Sequence, residues 1–146
     1  FGCPDARDAQ VEQAARLANA HEFISGKPEG YQTRLQEGAS NLSVGQRQLV
    51  CIARAILADP RILILDEATS NVDSLTESLI QEALRTLLQG RSAVVIAHRL
   101  STIRNADLIC VVQDGKIAEQ GKHEDLLALG GIYADLYRRQ FTEVAN

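Results

Sequence analysis

Two adjacent carboxylates, Asp66 and Glu67, directly follow the four consecutive aliphatic residues 62–65. A short unbroken apolar run of this kind predicts a strand buried on both faces, as in a parallel sheet with helices on each side. In such sheets chemistry collects beyond the carboxyl ends of the strands, which is where this pair would lie. An ordinary acidic turn accounts for this stretch equally well, so the neighbouring segments must decide.

A second candidate site lies at a predicted helix start. Ser43 and Gln46 have the spacing of a capping box, in which two exposed amides are satisfied reciprocally. The free amides and partial positive charge of a helix start favour a phosphate, and Gly45 would let that phosphate approach the backbone closely. On periodicity alone, a well-capped structural helix is the simpler interpretation.

The elements that would position these residues follow from hydrophobic periodicity and from breaker residues. Helices are predicted over residues 8–20, 43–58, 74–89, 100–104, 123–128 and 132–141. Strands are predicted over residues 62–65, 93–97, 108–112 and 116–120. Asp114-Gly115 is a two-residue hairpin signal between the last two strands.

The alternation of strands and helices in the later part of the chain predicts an α/β fold with a parallel sheet. Residues 1–58 lack this alternation and are predicted to form a mostly helical subdomain portion, which leaves 59–146 as the α/β core. Ser74 and Glu77 offer another capping box, at the start of the helix between the first two strands.

Bulk composition narrows the class of protein. The 146 residues and 45% apolar content fit one ordinary domain, and a net charge of −4 argues against nucleic acid as a partner. No apolar run approaches the roughly 20 residues needed to span a bilayer. Three cysteines lack metal-ligand spacing, and Cys51 and Cys110 are predicted to be small core residues, which favours a reducing compartment. The chain has no methionine and begins with Phe1, so we expect a fragment of a longer protein.

Several motifs in order resemble the nucleotide-binding domain of ATP-binding-cassette (ABC) exporters. Residues 41–48, NLSVGQRQ, are similar to the signature helix of that family, whose usual form is LSGGQ. Further stretches resemble the Walker B strand at 62–67, the D-loop at 70–73, the switch-histidine segment at 96–99 and the exporter-type tail from 119. The resemblance implies a partial P-loop NTPase fold, with a parallel sheet flanked by helices and preceded by a helical subdomain.

The resemblance also implies roles at an ATP site. Asp66 would orient Mg²⁺ through water, and Glu67 would act on the attacking water as a general base or positioning group. His98 would reach the γ-phosphate of ATP. Asp73 would lie at the interface with a second nucleotide-binding domain, although it could simply cap the following helix.

In cassette dimers each ATP lies between the Walker A loop of one subunit and the signature helix of the other. The resemblance therefore implies that Ser43, Gly45 and Gln46 bind ATP at this interface. Val44 departs from the family pattern by replacing the first glycine of the usual signature. No G-x-x-x-x-G-K-[ST] string occurs in the chain, so the Walker A loop is missing, as is the Q-loop. We expect the isolated chain neither to bind ATP tightly nor to hydrolyse it.

The predicted function is that of the C-terminal portion of an ABC exporter's nucleotide-binding domain, which hydrolyses ATP to drive transport. Its partners would be a second nucleotide-binding domain and a transmembrane domain, at the cytoplasmic face of a membrane, with the isolated chain soluble. One alternative is a soluble cassette ATPase of chromosome maintenance or DNA repair, against which the exporter-like tail and acidic balance count. Another is a non-catalytic regulatory remnant, against which the presence of Glu67 and His98 counts.

Overall fold

The computed structural model describes residues 3–66, 72–97 and 100–141. Its α-helices are α1 (Asp8–Leu17), α2 (His21–Ser25), α3 (Val44–Ala58), α4 (Ser74–Leu88), α5 (Leu100–Arg104), α6 (His123–Leu129) and α7 (Ile132–Phe141). Its strands are β1 (Ile62–Asp66), β2 (Ser92–Ile96), β3 (Ile109–Gln113) and β4 (Lys116–Gly121). Short 3₁₀ turns occur at Gly30–Gln32 and Glu37–Ala39. This mixture confirms the predicted α/β class.

The described strands pair in two small sheets. Strands β1 and β2 are neighbours in a parallel pair, with α4 as the connection between them. Strands β3 and β4 form an antiparallel hairpin with a register shift between Val111 and Val112. At its turn Asp114 and Gly115 have φ values of 50° and 74°, the positive pair that a type I′ turn requires, so the hairpin prediction is confirmed.

Contacts divide the chain into two compact units. The first contains helices α1 to α4, with β1 as far as Leu65 and β2 as far as Val95. The second contains β3, β4 and helices α5 to α7. These contact-based units do not test the predicted boundary between a helical subdomain (1–58) and an α/β core (59–146), which stays a prediction.

The core of the first unit lies where α1, α3 and α4 meet one face of β1. Small residues on and just after α1 allow close approach, and larger side chains come from the other elements. The most buried members are Ala15, Ala18, Ala20, Leu49, Leu63, Ile80, Ala83 and Leu87. Full burial of a leucine or isoleucine side chain stabilises the fold by about 1.5–3 kcal/mol, so this cluster holds α3 and α4 against β1.

The prediction that β1 is buried on both faces is wrong for the described chain. Leu63 is 6% exposed, but its neighbours Ile62 and Ile64 are 70% and 79% exposed. Side chains alternate across a strand, and α3 and α4 cover only the Leu63 side. Val94 and Ile96 of β2 are likewise 64% and 56% exposed, so an apolar sheet face lies open.

The predicted burial of two cysteines is also wrong. Cys51 and Cys110 are both exposed, as is Cys3. Cys51 lies on the exposed side of α3, whereas its neighbour Ile52 points into the core. The apolar surroundings along the sequence therefore did not identify the helix face on which this cysteine lies.

Candidate functional site

The start of α3 carries the residues predicted to meet a phosphate. Ser43 is the N-cap, with extended backbone angles (φ −65°, ψ 164°), and its Oγ accepts a hydrogen bond of 3.1 Å from the Gln46 amide. In return the Gln46 Oε1 accepts from the Ser43 amide at 3.1 Å. The predicted capping box is therefore confirmed. Because Ser43 Oγ acts here as an acceptor, its hydroxyl proton can still be donated to an oxygen of a ligand.

Hydrogen bonds from three side chains fix the loop before α3. The Arg47 guanidinium donates to the carbonyls of Ala39 and Leu42, at 3.4 and 3.2 Å. The Asn41 side chain donates to the Arg34 carbonyl at 3.1 Å and accepts from the Gln36 amide at 3.2 Å. Lys27 Nζ also donates to the Asn41 carbonyl, at 3.3 Å. These bonds fix the chain that delivers Ser43 to the helix start.

Gly45 has a packing role in addition to its predicted contact with a phosphate, which stays a prediction. It is buried, and a Cβ placed on it would overlap the Thr76 Cγ2 methyl and come within 3.1 Å of Val72 Cγ1. The close approach that requires glycine is thus made by the start of α4. Val44, which replaces the first glycine of the usual signature, is 39% exposed, so its side chain lies on the outer side of the helix.

Asp73 is the N-cap of α4, which confirms the structural interpretation of this residue. Its Oδ1 accepts from the Thr76 amide at 2.9 Å, and its Oδ2 accepts from the Thr76 hydroxyl at 2.7 Å. These two bonds hold the pKa of Asp73 below its usual range, and the bond from the Thr76 amide has the larger effect. The predicted capping box of Ser74 and Glu77 is wrong, because the cap lies one residue earlier.

The structure brings the start of α3 against the start of α4 at Gly45 and Thr76, and Thr76 is the residue that holds the Asp73 carboxylate. Thr76 is a residue that sequence reasoning missed. The signal was present in the spacing of Asp73 and Thr76, because an N-cap side chain bonds the residue three positions on.

The predicted metal and catalytic residues are only partly within the described structure. Asp66 is the last residue of β1, is exposed, and lies at the sheet edge where β2 also ends. Glu67 and His98 lie outside the described residues. Within residues 3–66, 72–97 and 100–141, no group of three or more His, Cys, Asp or Glu side chains could hold a metal ion. Magnesium is usually held by one or two carboxylates together with phosphate oxygens, so a single exposed carboxylate at Asp66 fits that ion.

The tail motif has a structural explanation in the second unit. The Glu119 carboxylate accepts from the amides of Ile132 and Tyr133, at 2.7 and 2.9 Å, and so caps α7. His123 is buried, and its Nδ1 lies 2.6 Å from the Tyr133 hydroxyl. Burial raises the pKa of Tyr133. A Cβ on Gly131 would overlap the Glu119 carboxylate, so a larger residue there would have to displace the side chain that caps α7.

Comparison with known proteins decides the family. The family model described as ABC transporter matches residues 5–70, which include the capped start of α3 and strand β1. The chain belongs to the ABC transporter family. Residues 3–66, 72–97 and 100–141 contain no helix of the length and apolar character needed to cross a membrane.

Curated relatives support the same assignment. The ABC chain is 55% identical over 141 residues to the uncharacterized ABC transporter ATP-binding protein YfiC of Bacillus subtilis (strain 168), covering 97% of this chain and 23% of that protein. It is 57% identical to a mitochondrial potassium channel ATP-binding subunit of Xenopus tropicalis, covering 98% of this chain and 21% of that protein. It is 52% identical to an ATP-dependent lipid A-core flippase of Chromobacterium violaceum, covering 98% of this chain and 24% of that protein. The chain thus spans less than a quarter of the length of these relatives.

A solved structure extends the likeness to three dimensions. A bacterial Atm1-family ABC exporter with ATP bound superposes with a TM-score of 0.84 at 43% identity, covering 97% of this chain and 25% of that one. The predicted ABC ATPase form of the P-loop NTPase fold is confirmed.

Proposed function

We propose that this chain is the C-terminal portion of the ATP-binding domain of an ABC exporter, and that the complete exporter hydrolyses ATP to drive transport. The observation that carries the proposal is the contact between two helix starts. The capped start of α3, with Ser43 and Gln46, adjoins the start of α4 at Asp73 through Gly45 and Thr76. This contact supports the proposal that the phosphate-binding groups of α3 and the carboxylate of Asp73 face the same second domain.

The start of α3 would bind phosphate oxygens of an ATP molecule held by a second ATP-binding domain. Its first amides have no partner within the helix ladder and carry the positive end of the helix dipole. The Ser43 hydroxyl can donate one further hydrogen bond. Asp73, fixed by Thr76 and ionised at neutral pH, would contact the same second domain.

Residues at the carboxyl ends of β1 and β2 would carry out ATP hydrolysis. Asp66 would hold Mg²⁺, which neutralises charge on the phosphates when it is bound. Glu67 would take a proton from the attacking water or orient it, and His98 would meet the γ-phosphate. Adjacent carboxylates suit this division, because one is needed at the metal and the other at the nucleophile.

The isolated chain is proposed to be inactive. A P-loop holds the nucleotide phosphates with consecutive backbone amides and a lysine, and this sequence contains no such motif. The lysines Lys27, Lys116 and Lys122 all lack the required glycine spacing. Contacts at the start of α3 alone would leave most of the triphosphate without partners.

Isothermal titration of the purified chain with Mg-ATP tests whether the isolated chain lacks a complete nucleotide site. We expect no saturable heat up to millimolar nucleotide, both for the wild-type chain and for a Ser43→Ala variant. A dissociation constant in the micromolar range would contradict the proposal, because it would show that this chain contains a complete nucleotide site.

A further inference from the structure

Thr76 occupies the space between two functional groups on different helices. Its Cγ2 methyl lies in the notch left by the missing side chain of Gly45 at the start of α3. Its hydroxyl and its backbone amide each hold one oxygen of the Asp73 carboxylate, at 2.7 and 2.9 Å. One side chain thus contacts α3 through its methyl and the cap of α4 through its hydroxyl.

The geometry leaves little freedom at this junction. Both Asp73 oxygens are engaged by the same residue, so the carboxylate cannot rotate without losing a charge-assisted hydrogen bond. Gly45 is buried, and the Val72 Cγ1 methyl lies near the same notch. Because packed interiors tolerate little added volume, the separation of the two helix starts depends on this contact.

We propose that Thr76 is a positioning residue that fixes Asp73 relative to the start of α3. The inference rests on the proposed function, because Asp73 and the start of α3 act together only if both face the second ATP-binding domain. In this proposal Thr76 acts only through Asp73, without a contact of its own to ATP or to the second domain. It acts through its hydroxyl, which sets the direction of the Asp73 carboxylate, while its methyl fills the notch at Gly45.

The two halves of the threonine side chain can be removed separately. Thr76→Ser keeps the hydroxyl and removes the methyl, whereas Thr76→Val keeps a branched apolar side chain and removes the hydroxyl. A threonine with only a packing role would make Thr76→Ser the more harmful change for activity. A positioning role through Asp73 makes Thr76→Val the more harmful one.

Hydrogen exchange of the purified chain, followed by mass spectrometry, tests the contact without reference to activity. Gly45→Ala should raise the exchange rate of amides in the first turn of α4 about tenfold, because the new methyl overlaps Thr76. The double variant Gly45→Ala with Thr76→Ser should return this rate to within about threefold of wild type, since the serine lacks the overlapping methyl. Additive effects in the double variant would overturn the proposed contact.

ATP hydrolysis by the complete transporter that contains this chain tests the positioning. Thr76→Val should lower kcat about tenfold, Thr76→Ser should stay within about twofold of wild type, and Thr76→Val should add nothing in an Asp73→Asn background. Equal loss in both Thr76 variants, or full additivity with Asp73→Asn, would overturn the inference.

A Glu67→Gln variant in the same assay distinguishes failure of the Thr76 role from failure of the proposed function. If Glu67→Gln abolishes hydrolysis while Thr76→Val leaves kcat unchanged, the positioning role of Thr76 is wrong and the proposed function stands. If Glu67→Gln hydrolyses ATP at the wild-type rate, the proposed function fails, whatever the exchange data show for Gly45 and Thr76.

Discussion

Ser43 and Gln46 satisfy one another at the start of α3, each side-chain oxygen accepting the other's backbone amide at 3.1 Å. This reciprocal cap uses the two side chains that the ABC resemblance assigns to nucleotide binding. The same two residues therefore stabilise the helix start and are predicted to bind the nucleotide. A substitution at either one changes stability and binding together, and the two effects must be measured separately.

Ser43→Ala should lower the free energy of unfolding by about 1 kcal/mol, because the Gln46 amide loses its acceptor. Urea unfolding followed by circular dichroism measures this. Ser78→Ala, on the exposed side of α4, is the control and should change stability by less than about 0.5 kcal/mol. An unchanged midpoint for Ser43→Ala would show that the cap contributes nothing in solution.

The Asp73 cap should make stability depend on pH in the acid range. Its pKa is lower in the folded chain than the ordinary value of 3.8, so the unfolded chain takes up a proton first as pH falls. The stabilisation is present above about pH 4 and is lost as pH falls through the folded-state pKa. Denaturant midpoints from pH 6 to pH 2 should therefore fall more steeply for wild type than for Asp73→Asn. Parallel curves would show that Asp73 does not titrate as proposed.

The open apolar face of β1 and β2 should cause self-association of the isolated chain. Ile62, Ile64 and Val94 are each more than 60% exposed, and contiguous exposed apolar patches favour aggregation. Replacing all three by threonine should shift the species seen by light scattering after size exclusion towards the monomer.

Leu63→Thr is the matched control for that experiment, because Leu63 lies on the covered face of the same strand. It should leave self-association in place and lower stability by about 2–3 kcal/mol. A wild-type chain that is monomeric and melts cooperatively would contradict the prediction.

Glu119→Ala should loosen α7, because the amides of Ile132 and Tyr133 lose their shared carboxylate. We expect a loss of about 1–2 kcal/mol, measured by urea unfolding with tyrosine fluorescence as the probe. Gly131→Ala should be destabilising in the wild type and much less so in the Glu119→Ala background, because the overlap partner is gone. Equal cost in both backgrounds would exclude the proposed steric cause.

Features with local causes could be predicted from the sequence. The capping box at Ser43, the end of α3 at Asp59 before Pro60, and the hairpin at Asp114-Gly115 all depend on a few neighbouring residues. The ABC resemblance supplied the family and the order of motifs. These predictions needed no knowledge of which surfaces meet.

Features that depend on tertiary packing could not be predicted. The sequence pattern of β1 is the same whether one face or two are covered, and only the placement of α3 and α4 shows that Ile62 and Ile64 lie open. The packing role of Gly45 depends on Thr76, 31 positions later in the chain, and the residues around Gly45 do not indicate it. Contacts between distant positions leave no mark in a single sequence.

The most direct test of the proposed function is ATP hydrolysis by the complete transporter with Glu67→Gln, measured as phosphate release at saturating Mg-ATP. Removal of a general base should lower kcat at least about 100-fold while ATP binding is retained. Glu22→Gln, an exposed carboxylate on α2, is the matched control and should keep the wild-type rate. A Glu67→Gln transporter that hydrolyses ATP as fast as wild type would contradict the assignment of this chain to the catalytic portion of an ABC ATPase site.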